Sequence, residues 1–124
     1  MKFISTEKAP AAIGPYSQGT IIGNTIFASG QLPINMQTGE LESDPAKACK
    51  ASLSNVLEIV KAGGGNLETI AKVNVYVKNM DDFAVVNKAY EEFFGSHKPA
   101  RACVQIAKLP KDATLEIEAI AEVE

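Results

Sequence analysis

The residues from His97 to Glu118, HKPARACVQIAKLPKDATLEIE, bring together groups able to do chemistry. Arg101, Cys103 and Gln105 recur at every second position, and so do Glu116 and Glu118. A period of two is that of an extended strand, whose successive side chains point to opposite sides. The stretch thus reads as two strands joined by a Lys-Leu-Pro-Lys-Asp turn. The first has Arg101, Cys103 and Gln105 on one face and Ala102, Val104 and Ile106 on the other. The second has Leu115, Ile117 and Ala119 on one face and Glu116 and Glu118 opposite. A chain of 124 residues needs the aliphatic faces for its core. The other faces present a guanidinium, a thiol, an amide and two carboxylates. From the residues alone, Arg101 and Glu116 have two readings: groups that hold a ligand, or partners in an ion pair between subunits.

The elements that must position these groups follow from periodicity and punctuation. Residues 2–5 form a short strand, and APAAIGPYSQG is a loop broken by Pro10, Gly14 and Pro15 that carries Tyr16. Residues 18–30 read as a hairpin turning at Gly23-Asn24. Gly30 ends its second strand, where a missing Cβ lets a backbone or ligand come close. Residues 31–43 are a loop with a turn at Gln37-Thr38-Gly39. Asp44-Pro45 opens a helix with Ala46, Cys49, Leu53, Val56, Leu57 and Val60 as its apolar stripe. Gly63-Gly64-Gly65 stops it. Because the triplet follows a helix, it is no phosphate cradle. Residues 68–78 form a strand with Val73, Val75 and Val77 on one face and Lys72, Asn74 and Tyr76 on the other. A second helix starts at Asn79-Met80-Asp81, buries Phe83, Val86, Ala89, Tyr90 and Phe93, and ends at Gly95, with Asn87 beside the stripe.

Composition narrows the classes. The length suits one domain spanning residues 1–124. A net charge of −3 argues against a protein that tracks nucleic-acid phosphates. No apolar run has the length of a membrane span, and MKFISTEKAP has no apolar core of a secretory signal. Cys49 and Cys103 lack metal-ligand spacing and read as free thiols of a cytoplasmic protein. His97 is the only histidine and reads as a solvated loop residue. No metal site is expected.

Two amphipathic helices cover only one face of a single sheet, so the fold expected is α+β: two layers, with a mixed six-stranded sheet. The uncovered face is expected to carry Asn74, Tyr76, Arg101, Cys103, Gln105, Glu116, Glu118 and Ile120. Such a mixed face is resolved by association into a closed ring with polar clefts between subunits.

Several stretches carry a resemblance to a known family: APAAIGPYSQG, FASGQLP with TGE after it, NVYVKNMDDFAVVNKAYEEFF and PARACVQIAKLPKDATLEIEAIA. In order and spacing the chain resembles the reactive intermediate deaminase (RidA, formerly YjgF) family over nearly its whole length. The resemblance implies a homotrimer of chorismate-mutase-like subunits with clefts at the interfaces. It implies hydrolysis of enamines and imines such as 2-aminoacrylate, 2-iminopropanoate and 2-iminobutanoate to 2-oxo acids and ammonia. Pyridoxal-phosphate-dependent dehydratases release such intermediates, and the deaminase itself is expected to need no cofactor. By the same resemblance Arg101 grips the substrate carboxylate, and Glu116 holds or activates the attacking water, with Glu118 a competing candidate. Tyr16 lines the cleft, Gly30 and Cys103 place main chain against the ligand, and Asn87 sits at the margin. Cys103 is not required as a nucleophile, because an imine is already electrophilic. Lys98 departs from the family, whose members usually carry an aromatic residue there, and the departure bears on substrate preference. A non-catalytic binder of 2-oxo or amino acids, and an RNA-cleaving or translation-inhibiting protein, are the other two readings. The acidic balance weighs against the last.

Overall fold

Alternation and capping place every regular element close to where the sequence suggests. A computed structural model describes all 124 residues. It runs β1 (Lys2–Ile4), β2 (Gly19–Ile22), β3 (Thr25–Gln31), α1 (Pro45–Ala62), β4 (Ile70–Val77), α2 (Phe83–Phe94), β5 (Ala100–Gln105) and β6 (Leu115–Glu122). The strands form one six-stranded sheet in the order β1-β2-β3-β6-β4-β5. All neighbours are antiparallel except β4 and β5, which are parallel. This is the mixed, two-layer α+β sheet expected.

The helices form the second layer. Asp44 accepts a hydrogen bond from the Lys47 amide at 3.1 Å, Pro45 occupies the first turn, and Gly63 and Gly64 turn the chain out of α1. Ala48, Cys49, Ser52, Leu53, Asn55, Val56, Ile59 and Val60 are buried. The buried surface is wider than the expected stripe because α1 packs on both the sheet and α2. In α2 the buried residues are Val86, Ala89, Tyr90 and Phe94; Phe94, not Phe93, enters the core, and Phe83 stays at its margin. Val73, Val75, Val77, Leu115 and Ile117 meet the helices from the sheet.

The last two strands are not a hairpin. β4 lies between them, and the 106–114 connection crosses its end, where the Ile106 amide donates to the Val77 carbonyl at 3.0 Å and the Lys78 amide to the Thr114 carbonyl at 2.9 Å. Lys111 and Asp112 sit in the left-handed region in that turn (φ 56° and 54°). Asp112 is paired to Lys78 at 2.9 Å.

One expected face is reversed. In the parallel register Val73 lies beside Arg101 and Val75 beside Cys103, so Arg101, Cys103 and Gln105 share the helix side of the sheet. Ala102 and Val104 instead face outward, Val104 with 47% exposure. The reason is position: β5 is an edge strand, and α2 covers its inner face only with side chains that the arginine can lie across. Polarity therefore does not mark the outer face there. Asn74, Tyr76, Glu116, Glu118 and Ile120 do lie on the uncovered side, as expected. Across that side Phe3, Thr20, Phe27, Ile120 and Lys72 form one row, Glu118 and Asn74 the next, and Glu116, Tyr76 and Val104 a third.

Leu53 is 1% exposed in the middle of the helix–sheet interface. Leu53→Ala is expected to cost about 2–5 kcal/mol of stability, measured by denaturant unfolding.

Candidate functional site

Glu116 is built into the uncovered face by a register irregularity. The pairing of β3 with β6 shifts between Ala28 and Gln31, and this brings Gly30 against the Glu116 side chain. A Cβ at Gly30 would overlap the Glu116 carboxylate. Glycine there is thus the space the carboxylate occupies. Burial, and secondarily the nearby charge of Glu118, push the Glu116 carboxyl above its ordinary value. Glu118 has different surroundings: one oxygen accepts from the Asn74 amide at 3.1 Å and from the Tyr76 hydroxyl at 2.8 Å. Those bonds leave Glu116 as the carboxylate of the pair without a side-chain donor in its own chain. Tyr16 belongs to the same end of the sheet. The Ser29 hydroxyl donates to the Ser17 carbonyl at 2.6 Å and the Ser29 amide to the Gln18 carbonyl at 2.9 Å, which ties the Tyr16 loop beside Gly30. The Tyr16 ring is 52% exposed.

Arg101 is built from the other layer. Phe83, Asn87 and Tyr90 are spaced four and three residues apart, so they share one face of α2. The Arg101 Nη1 donates to the Asn87 Oδ1 at 2.6 Å, and its guanidinium carbon lies 4.9 Å from the Tyr90 ring centre and 5.6 Å from that of Phe83. The rings hold the cation by its attraction to their π faces. The chain's two ion pairs are Lys50–Glu92 and Lys78–Asp112, so Arg101 has no carboxylate of its own chain. Cys103 follows on the same side, half-buried. Burial raises its thiol pKa, with Arg101 opposing, and burial pushes Cys49 up to about 12. Neither thiol is set up as a thiolate nucleophile.

The six candidate residues therefore separate into two groups. Gly30 and Glu116 meet on the uncovered face, with the Tyr16 loop tied beside Gly30, whereas Asn87, Arg101 and Cys103 stand together on the helix side at the β5 edge. Within one chain Arg101 and Glu116 do not form an ion pair. The supports of Arg101 (Phe83, Tyr90) and of Glu118 (Asn74, Tyr76) were not among the expected site residues. Their signals were present: helical spacing around Asn87, and strand alternation beside the two glutamates. His97 also differs from expectation. Its Nε2 lies 2.8 Å from the Ile70 carbonyl, and its ring is 6.0 Å from that of Phe94, so it ties the α2–β5 connection to β4. A surface hollow of about 740 Å³ along α1 contains none of the six candidates.

Comparison with known proteins brings these positions into a wider set. The family model described as Endoribonuclease L-PSP matches residues 6–123. The 2-iminobutanoate/2-iminopropanoate deaminase of Escherichia coli K12 is 54% identical, over 97% of this chain and 96% of that protein. The crystal structure of the E. coli YjgF gene product superposes with a TM-score of 0.95 at 51% identity, covering 100% of both chains. That of E. coli TdcF with bound serine gives 0.94 at 46% identity, also covering 100% of both.

The half-buried Glu116 sets a pH-dependent stability. Its folded-state pKa lies above the ordinary 4.5, so its contribution is fully present below that value and is lost as pH rises through the raised one. Glu116→Gln should accordingly raise the thermal midpoint relative to wild type at neutral pH and lose that advantage in acid. Scanning calorimetry at the two pH values checks it; an equal shift at both would show that charge is not the cause.

Proposed function

The chain belongs to the Endoribonuclease L-PSP family, and from that premise we propose that it is a 2-iminobutanoate/2-iminopropanoate deaminase acting as a homotrimer. It hydrolyses the C=N bond of small imines bearing a carboxylate and releases 2-oxo acids and ammonia. The observation that carries the reading is Arg101: a guanidinium fixed by Asn87 and two rings, yet without an anion of its own chain. A planar guanidinium in that state suits a substrate carboxylate, which it takes through two parallel charge-assisted hydrogen bonds. The serine bound by the TdcF relative is likewise a small molecule with an α-carboxylate.

A trimer accounts for the separation of the two groups. The uncovered face exposes Phe3, Ile22, Phe27 and Val104 and needs a partner. Seating the β5 edge of one subunit on the uncovered face of the next completes the cleft: Arg101, Asn87 and Cys103 from one, Tyr16, Gly30 and Glu116 from the other.

In the cleft Arg101 orients the substrate by its carboxylate. A water held by Glu116 attacks the protonated imine carbon and gives a proton to the Glu116 carboxylate, forming a carbinolamine. Glu116 returns that proton to the amine nitrogen. The C–N bond then breaks as the hydroxyl oxygen forms the carbonyl and passes its proton through the Glu116 carboxylate to the departing ammonia, so that imine cation and water become 2-oxo acid and ammonium. The imine is electrophilic already, so the step needs neither a covalent intermediate on Cys103 nor a cofactor. Glu116 is favoured over Glu118 because both donors near the pair are committed to Glu118. The enzyme works in the cytoplasm, beside pyridoxal-phosphate-dependent dehydratases that supply its substrate. Lys98, exposed before β5, bears on which imine is preferred.

Coupling the purified protein to a serine or threonine dehydratase and following 2-oxo acid formation tests the reading. Wild type should accelerate the reaction, Arg101→Ala should abolish the effect, and Glu116→Ala should lower it by about 100-fold or more. Full activity in Glu116→Ala would move the water to another group. RNA cleavage that survives purification and is lost in Arg101→Ala would replace this function with a nuclease.

A further inference from the structure

Two carboxylates stand two positions apart on the uncovered face of β6, and their surroundings differ. Both donors, Asn74 and the Tyr76 hydroxyl, converge on one oxygen of Glu118. With two β4 side chains donating to the same oxygen, the Glu118 carboxyl is anchored in place as their shared acceptor. Glu116, against Gly30, has room but no donor. We propose that Glu118 is a positioning residue of the reaction: a fixed negative charge, anchored by Asn74 and Tyr76, which makes Glu116 the one carboxylate of the pair that takes and returns a proton. The proposal rests on the hydrolase reading and assigns roles within its site.

Unequal surroundings are what let two neighbouring carboxylates do different work. Burial, and after it the charge of Glu118, makes ionising Glu116 harder, so the proton received from water is more readily held until the amine collects it. The other groups facing Glu116 offer little counterweight. Tyr76, opposite it on β4, is a phenol whose pKa is raised chiefly by its bond to Glu118. Lys72 lies on the same face of β4 but pairs with Ile120, beyond Asn74 and Glu118. β3 contributes Gly30 and Ser29, and β5 contributes Ala102 and Val104, none of which titrates. The charged group expected from the neighbouring subunit is Arg101, engaged with the substrate carboxylate.

The experiment is a carboxyl-carbon NMR titration of protein labelled at its glutamates and saturated with 2-oxobutanoate, whose carboxylate engages Arg101, with the Glu116 resonance assigned by its loss in Glu116→Gln. In wild type Glu116 should titrate above the ordinary glutamate range. In Glu118→Gln, which keeps the acceptor for Asn74 and Tyr76 while removing the charge, its midpoint should fall, and the acidic limb of the kcat/KM profile should move to lower pH with it. Glu118→Met tests the same loss of charge without a polar group. An ordinary Glu116 midpoint in wild type, or one that stays put or rises in the assembled variants, overturns the proposal. Because the titration is read without turnover, it remains decisive even if no imine is hydrolysed.

Discussion

A side chain on a β-strand can reach only one side of its sheet, and that limit governs the whole arrangement. Arg101 is committed to the helix side by its parallel register with Val73, and Glu116 to the uncovered side by its antiparallel register with Tyr76. No rotamer of either closes a site across the intervening sheet. A reaction that needs both requires a second copy of the chain, which makes the quaternary structure part of the chemistry.

Each half is nevertheless prepared within its own chain. A hydrogen bond involving an ionised group contributes about 1.5–3 kcal/mol, whereas a cation over an aromatic face at an exposed site contributes about 0.5–1 kcal/mol. Asn87 therefore sets the orientation of the guanidinium, and Tyr90 and Phe83 set where the side chain lies. The other half works by exclusion. Gly30 leaves space for a carboxylate, the Ser29 bonds hold the Tyr16 loop close by, and Asn74 and Tyr76 are spent on Glu118. Rigid strands and a two-turn face of α2 carry all of this except Tyr16, so little ordering is left to substrate binding.

Much of this was legible in the sequence, because much of it is local. Asp44-Pro45 and Gly63 bounded α1, and the alternation of Leu115, Ile117 and Ala119 with Glu116 and Glu118 sorted β6 correctly. The failure at β5 has a clear physical origin. Alternation divides a strand into two faces but does not say which is inner, and polarity, the usual guide, fails at an edge where the inner face is shallow. Register settles the matter, and register is a long-range property fixed by the pairing with β4. The same limit hid the partners of the site residues: Asn74 and Glu118 lie 44 residues apart and Asn87 and Arg101 14 apart. Phe94 displaced Phe93 from the core by one position, a difference within the freedom of a helix end beside Gly95.

The central claim is that a working cleft takes its arginine and its glutamate from different subunits. Co-refolding equal amounts of Arg101→Ala and Glu116→Ala protein, each inactive or nearly so alone, measures this directly. Random assembly should restore about a quarter of wild-type dehydratase-coupled activity, since about one interface in four then receives an intact arginine from one variant and an intact glutamate from the other. If the mixture assembles into trimers and stays as inactive as its components, both groups act from the same chain and the account is wrong.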